Sequence, residues 1–242
     1  MSRPPEGAGL AGAQALVTGG SSGIGLAIAR AFRRHGCQVV LVARGVEALQ
    51  AAAAETQGIA LAADVADEAD VRRLRDRVNV TLGRLPDVLV NAAGAFDLAA
   101  ITETPVETFD RMIAVNLRAP FLLAREFLPG MLARRSGHLV TIGSIAGRVA
   151  FPHNGAYSAS KYGVRGLHAV LDTELRGTGV RATLIEPAAT DTPLWNAVDR
   201  AAHPGLPPRE SMLSPDDVAE AVIFAVTRPA DVDVRTLLLE RT

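Results

Sequence analysis

The segment Thr18-Gly19-Gly20-Ser21-Ser22-Gly23-Ile24-Gly25, set between a short apolar run and an amphipathic helical pattern, constrains this chain more than any other. Glycine turns tightly, tolerates positive φ and lets neighbouring backbone approach closely. At a strand-to-helix junction such a run presents amide N–H groups, backed by the positive end of a helix dipole, to an anion of the pyrophosphate kind. A merely flexible turn is the bland alternative. The position of the loop, after the first strand pattern and opening the first helix pattern, favours the binding reading. Gly19, Ser21, Ser22, Gly23, Ile24 and Gly25 are therefore candidate nucleotide-binding residues.

The strand-then-helix order repeats along the rest of the chain. Apolar runs at 15–17, 39–43, 59–62, 88–90, 138–142, 180–185 and 236–239 alternate with helical patterns at 23–35, 46–56, 68–81, 106–134, 157–176 and 215–227. Strands that read as continuous apolar runs, each followed by a helix, imply a parallel sheet covered on both faces. The expected fold is α/β and doubly wound, a Rossmann-type sheet of seven parallel strands. The 106–134 pattern is long, and Leu117-Arg118-Ala119-Pro120 inside it predicts a break into two helices. One domain over 13–242 is expected, behind a flexible leader at 1–12. The irregular stretch at about 190–214, rich in Pro, reads as a substrate lid, because Leu194, Trp195 and Met212 would otherwise be idle apolar groups.

Composition excludes several classes of function. With 25 basic and 26 acidic residues the formal charge is -1, which leaves no field to draw nucleic acid. The nearest charge run, Arg72, Arg73, Arg75 and Arg77, is diluted by Asp70 and Asp76 and reads as a solvated helix face. A lone Cys37 builds no disulfide framework, and no Cys or His spacing suggests a metal. No apolar stretch reaches a membrane span and no secretory signal opens the chain, so a cytoplasmic location is expected. Among the 25 basic residues the only lysine is Lys161, flanked by the only two tyrosines, Tyr157 and Tyr162.

The glycine loop matches T-G-x-x-x-G-x-G through Thr18, Gly19, Gly23 and Gly25, and the match continues through Asp64-Val65, Asn91-Ala92-Ala93-Gly94, Asn116, Ser144, Tyr157, Lys161 and Pro187 to Thr192. In order and spacing the chain resembles the short-chain dehydrogenase/reductases. That resemblance implies that Asp64 and Val65 contact adenine, that Asn91 and Gly94 lie along the cofactor, and that Pro187, Thr190 and Thr192 hold the nicotinamide carboxamide. An Asp at position 64 could also simply cap the following helix. Two positions depart from the family pattern: Ala92 replaces an asparagine, removing a hydrogen bond of about 1 kcal/mol, and Ala188 replaces a glycine, costing about 1 kcal/mol if that position needs positive φ. At the end of the second strand stands Arg44, where a carboxylate would select NAD and a guanidinium pairs with a 2′-phosphate. NADP is the expected cofactor, with NAD as the alternative.

Tyr157 and Lys161, four residues apart, share one helical face a turn apart. An ammonium there favours phenolate, and lowering a tyrosine by about 3 pKa units takes roughly 4 kcal/mol. Ser144 falls just beyond the fifth strand, at the carboxyl edge where open parallel sheets bind ligands. Taken singly, Asn116 reads as a cap residue, Ser144 as a turn residue and Tyr157 with Lys161 as a surface pair. In the matching order they read as a set. The resemblance implies that Ser144 polarises the substrate oxygen, Tyr157 is the acid/base, Lys161 binds the nicotinamide ribose and tunes the tyrosine, and Asn116 holds a water of a proton relay.

Selectivity is expected from Phe96, Arg148, His153, Asn154 and Trp195 together with Ser144, with Arg148 or His153 as a partner for a substrate carboxylate. The expected activity is hydride transfer between nicotinamide and a secondary alcohol or ketone. The alternative is a nucleotide-binding regulator or scaffold of the same fold. A homodimer or homotetramer is expected, assembled through the helices of 106–134 and 157–176, with a small alcohol or carbonyl compound as the other partner.

Overall fold

The computed structural model describes residues 9–242 except 202 and 204. Seven strands, β1 (Gln14–Thr18), β2 (Gln38–Ala43), β3 (Ile59–Ala62), β4 (Val88–Asn91), β5 (Gly137–Ile142), β6 (Val180–Pro187) and β7 (Thr236–Leu239), form one sheet in the order β3-β2-β1-β4-β5-β6-β7, every pair parallel. The order reverses between β1 and β4, and the crevice at such a reversal is where doubly wound sheets bind ligands.

Period-2 alternation explains why the strands read as unbroken apolar runs. Ala15, Val17, Val39 and Leu41 pack toward one face, with α1 (Gly23–Arg34), α2 (Val46–Thr56) and α7 (Pro215–Val226). Leu16, Val40 and Val42 pack toward the other, under α3 (Glu68–Leu82), α5 (Ala119–Ala133) and α6 (Gly155–Glu174). Both side-chain directions are buried, so both must be apolar. Of the expected leader, residues 1–8 lie outside the described residues. At Leu10 the chain is already buried in the first of these cores, and its carbonyl accepts from Cys37 Sγ at 3.3 Å.

The expected break within 106–134 takes another form. The helix α4 (Val106–Ile113) runs through a π turn at Ala114–Arg118 directly into α5, with Ala114, Arg118 and Ala119 all right-handed helical. Pro120 has no N–H to return to the carbonyl four residues back, and its ring crowds that carbonyl. The chain answers with a widened turn rather than an end, a form that often marks function.

One buried group makes the fold acid-sensitive. His138 Nε2 lies 2.8 Å from Thr183 Oγ1, whose own proton goes to the Val234 carbonyl at 2.6 Å. Nε2 is therefore the donor, and Nδ1 is buried with no partner among the described residues. Burial pushes the His138 pKa down to about 3. The unfolded chain takes up a proton near the reference value of about 6.5 while the folded chain does not, so stability falls as pH drops below that value. Between pH 7 and 5 the His138 contribution is a loss of about 2 kcal/mol. Urea unfolding at the two pH values measures it, and His138→Asn should remove that share of the pH dependence; an unchanged dependence in the variant would refute the assignment.

Candidate active site

The glycine loop is built by contacts that admit no side chain. Gly19 has φ +68, and a Cβ on it would stand 2.8 Å from the Ala92 carbonyl oxygen; one on Gly25 would stand 2.3 Å from the Gly19 oxygen. The loop is thus folded on itself and pressed against the segment after β4. Thr18 braces that segment: its hydroxyl accepts from the backbone N–H of Ala92 and Ala93 at 3.1 and 3.2 Å and donates to the Val90 carbonyl. Thr18 thus ties the Ala92 segment to β1 through its backbone. Ser22 precedes α1 in extended backbone with no side-chain cap, and no acidic residue occupies the first turn. In α3 and α7 that place is filled, by Asp67 and Ser214. The first-turn N–H groups of α1 therefore remain available to an anion.

Arg44 stands exposed at the end of β2 and makes no hydrogen bond or ion pair among the described residues. Asp64 does not cap α3, since Asp67 does; instead its carboxylate accepts from Ala66 N–H at 3.0 Å and shapes the turn before the helix, beside the buried Val65.

On the far side of the crevice the acid/base candidates meet. Ser144 caps a single 3-10 turn after β5, its Oγ accepting from Ala146 N–H at 3.1 Å, and its hydroxyl lies close enough to Tyr157 on α6 to favour the phenolate. Lys161, one turn on, is buried, donates to the Ile142 carbonyl at 3.0 Å and sits 5.5 Å from the centre of the Tyr157 ring. A Cβ on Gly147 would stand 2.8 Å from the Lys161 carbonyl oxygen, so the Ser144 turn is pressed on α6. The expectation of a depressed Tyr157 pKa is corrected. Burial raises it to about 12, outweighing the nearby Ser144 hydroxyl, which lowers it, and burial brings Lys161 down to about 8. The lysine spends a hydrogen bond on a backbone carbonyl, and desolvation of phenolate wins.

Asn116 lies in the π turn and is 2% exposed. Its Oδ1 accepts from Ala95 N–H at 2.7 Å, while its amide donates to the Ala95 carbonyl and to Ser160 Oγ, both at 2.9 Å. Ser160 in turn donates to the Tyr157 carbonyl at 2.7 Å. The side chain is thus committed to fixing the loop after Gly94 and the start of α6. Ser160 escaped sequence reasoning because a serine inside a helix carries no signal of what lies across from it.

A cavity of about 860 Å³ opens over these groups. Ile24, Gly94, Phe96, Ser144, Tyr157 and Lys161 line it, as do His153, Asn154, Pro187, Thr190, Thr192 and Trp195. The remaining glycine-loop residues, Arg44, Asp64 and Val65 lie along the other half of the strand ends. Asn91 is buried in the sheet, its amide donating to Thr141 Oγ1 at 3.3 Å, and does not reach the cavity. Arg148 is also absent from the wall: its Nε donates to the Glu186 carboxylate at 2.5 Å, and Glu186 is 1% exposed. The expected role of Arg148 toward a substrate carboxylate is therefore corrected; a buried anion 38 residues away claims its charge. Ala188 has no positive φ, so it carries no backbone strain.

The 190–214 excursion is tied at its base, where Asp191 N–H donates to Leu213 O and Leu213 N–H to Ala189 O, both at 2.9 Å. Trp195 Nε1 donates to the Thr190 carbonyl at 3.0 Å, and its ring packs on Phe96 at 4.9 Å. Phe96 stands edge to face with Tyr157, also at 4.9 Å. Among the described residues no three His, Cys, Asp or Glu side chains gather as a metal site, and no helix is long and apolar enough to cross a membrane.

A glycine loop and an uncapped helix start at a strand-order reversal define a nucleotide-binding Rossmann-type protein. Residues 13–203 match the family model described as short chain dehydrogenase. The chain is 38% identical over 226 residues to an uncharacterized oxidoreductase of Staphylococcus saprophyticus, covering 91% of this chain and 93% of that one. It is 36% identical over 239 residues, 96% of its length, to the glycine betaine reductase of Emericella nidulans, of which it spans only 19%. A metagenomic short-chain oxidoreductase solved in complex with NADP superposes with a TM-score of 0.82 at 34% identity, covering 97% of this chain and 99% of the other. The chain belongs to the short-chain dehydrogenase/reductase family of oxidoreductases.

Proposed function

We propose that the protein is an NADP-dependent oxidoreductase that interconverts a secondary alcohol and a ketone, with Tyr157 as general acid/base. The observation that carries this reading is the convergence of Ser144, Tyr157 and Lys161 on the wall of one cavity, with Lys161 buried and 5.5 Å from the centre of the phenol ring. A cofactor fits the residues present: the uncapped start of α1 and the close-packed Gly19 and Gly25 suit a pyrophosphate, and Pro187, Thr190 and Thr192 line the cavity, where they would hold a nicotinamide carboxamide.

When bound, the cofactor would supply or accept the hydride and, oxidised, would add a positive charge to the site. Ser144 Oγ holds the substrate oxygen at the place where charge develops. Tyr157 gives its proton to that oxygen in reduction and takes it back in oxidation. Lys161 holds the ribose and, through its charge, favours the phenolate. Asn116 keeps Ser160 and the Ala95 backbone in register; the π turn around it is the candidate seat of a relay water, because a widened turn leaves carbonyls outside the ordinary ladder. Exposed Phe109 and Phe121 on the 106–134 face support assembly as a homodimer or homotetramer.

The NADP preference rests on Arg44, free at the corner of β2. Titration of NADPH and NADH by fluorescence tests it: the wild type should prefer NADPH, and Arg44→Ala should weaken NADPH by about tenfold or more, the worth of a charge-assisted pair, while changing NADH little. Equal wild-type affinities for the two cofactors would refute the preference.

A further inference from the structure

We infer that the substrate is an uncharged carbonyl compound with a bulky apolar body, held against Phe96 and Trp195, and that small keto acids are excluded. The inference rests on the oxidoreductase reading and adds the substrate class. Beside the polar reacting groups the wall carries Phe96, Leu98, Phe151, Leu194, Trp195 and Leu206, with His153, His203, Glu240 and Arg241 also on it. Phe96 touches Tyr157 on one side and Trp195 on the other. The aromatic surface thus runs without interruption from the acid/base to the lid, and whatever presents its carbonyl to Tyr157 lays its body along it. Trp195 is held in place from behind by the Thr190 carbonyl.

The wall offers an anion little. Lys161 lies at the reacting end and is tied to Ile142. Arg241 on the wall donates to the carbonyls of Glu210 and Met212 and has Glu240 beside it. His153 and His203 pack edge to face on each other at 5.1 Å. Arg148, the arginine nearest in sequence to Ser144, is taken by Glu186 and does not reach the cavity, and Arg165 shares the same carboxylate at 3.8 Å. A carboxylate carried into this space would lose its hydration without gaining a dedicated partner.

Trp195 is the only tryptophan of the chain, so its fluorescence reports occupancy of this wall without turnover. The full-length protein, held with NADP+ so that no ketone is consumed, is titrated at pH 8 with 4-phenyl-2-butanone, phenylpyruvate and a trimethylammonium ketone of similar bulk. The neutral ketone should quench saturably, with a Kd at least about 30-fold below those of both charged probes. Phe96→Ala should raise that Kd about fivefold or more, and Phe96→Leu, which preserves bulk and folding, should stay within about twofold. Equal or tighter binding of either charged probe, or no saturable quenching by the neutral ketone, overturns the inference. The same panel is then followed with NADPH and NADP-linked oxidation of the matching alcohols. Selective quenching with no turnover of any probe leaves the substrate class standing and removes the oxidoreductase reading; preferred turnover of phenylpyruvate does the reverse.

Discussion

Tyr157→Phe lowers kcat by about 10³-fold, within the range of 10² to 10⁴ that a positioned acid/base contributes, and leaves the Kd for NADPH within about twofold. The expectation follows from what the substitution keeps and what it removes. The phenyl ring retains its edge-to-face contact with Phe96 and its place over Lys161, so the wall of the cavity is preserved. Only the hydroxyl goes, and with it the proton. With a pKa raised to about 12 by burial, the phenol keeps its proton through the neutral range, as a proton donor for reduction must. Single-turnover reduction of a panel ketone measures the effect. A variant within tenfold of wild type would show that another group supplies the proton.

Gly25→Ala abolishes useful cofactor binding, with NADPH affinity falling by about 100-fold or more, equivalent to about 2.7 kcal/mol. The new Cβ would meet the Gly19 carbonyl oxygen at 2.3 Å and its carbon at 2.6 Å, both backbone atoms of the same loop. Neither can yield as a side-chain tip could, so the loop must open where the pyrophosphate would rest. Gly166→Ala is the matched control. It lies in α6, exposed, with nothing within 4 Å of the added Cβ, and should raise stability by about 0.5–1 kcal/mol through helix propensity alone. Fluorescence titration and urea unfolding of the two variants separate the outcomes. Wild-type NADPH affinity in Gly25→Ala would refute the placement of the pyrophosphate.

Much of the fold was legible because a parallel sheet buried on both faces leaves a local trace, an apolar run such as Val39–Ala43 between glycine or polar punctuation. The π turn was not. Pro120 announced a disturbance, but whether a helix ends or widens there depends on what packs around it, and the commitment of Asn116 to Ala95 and Ser160 is made across the fold. Arg148 failed as a substrate partner for the same reason. Its neighbours in sequence are apolar, and the buried Glu186 that claims it arrives from another strand. The 190–214 excursion announced itself as one stretch, yet nothing local could have foretold that Trp195 would lean on Phe96.

The sequence by itself determined the strand and helix order, the glycine loop and the residues available for proton transfer, since each is written in local spacing: a period, a turn requirement, or two side chains four apart on one helix. Tertiary structure decided what those residues are chemically. A tyrosine and lysine one turn apart suggest a depressed phenol, but the pKa depends on the water removed around Tyr157, on the Ile142 carbonyl that occupies Lys161 and on Ser144 brought from the end of β5. Desolvation and long-range pairing have no sequence period. They exist only once the chain has closed around the site.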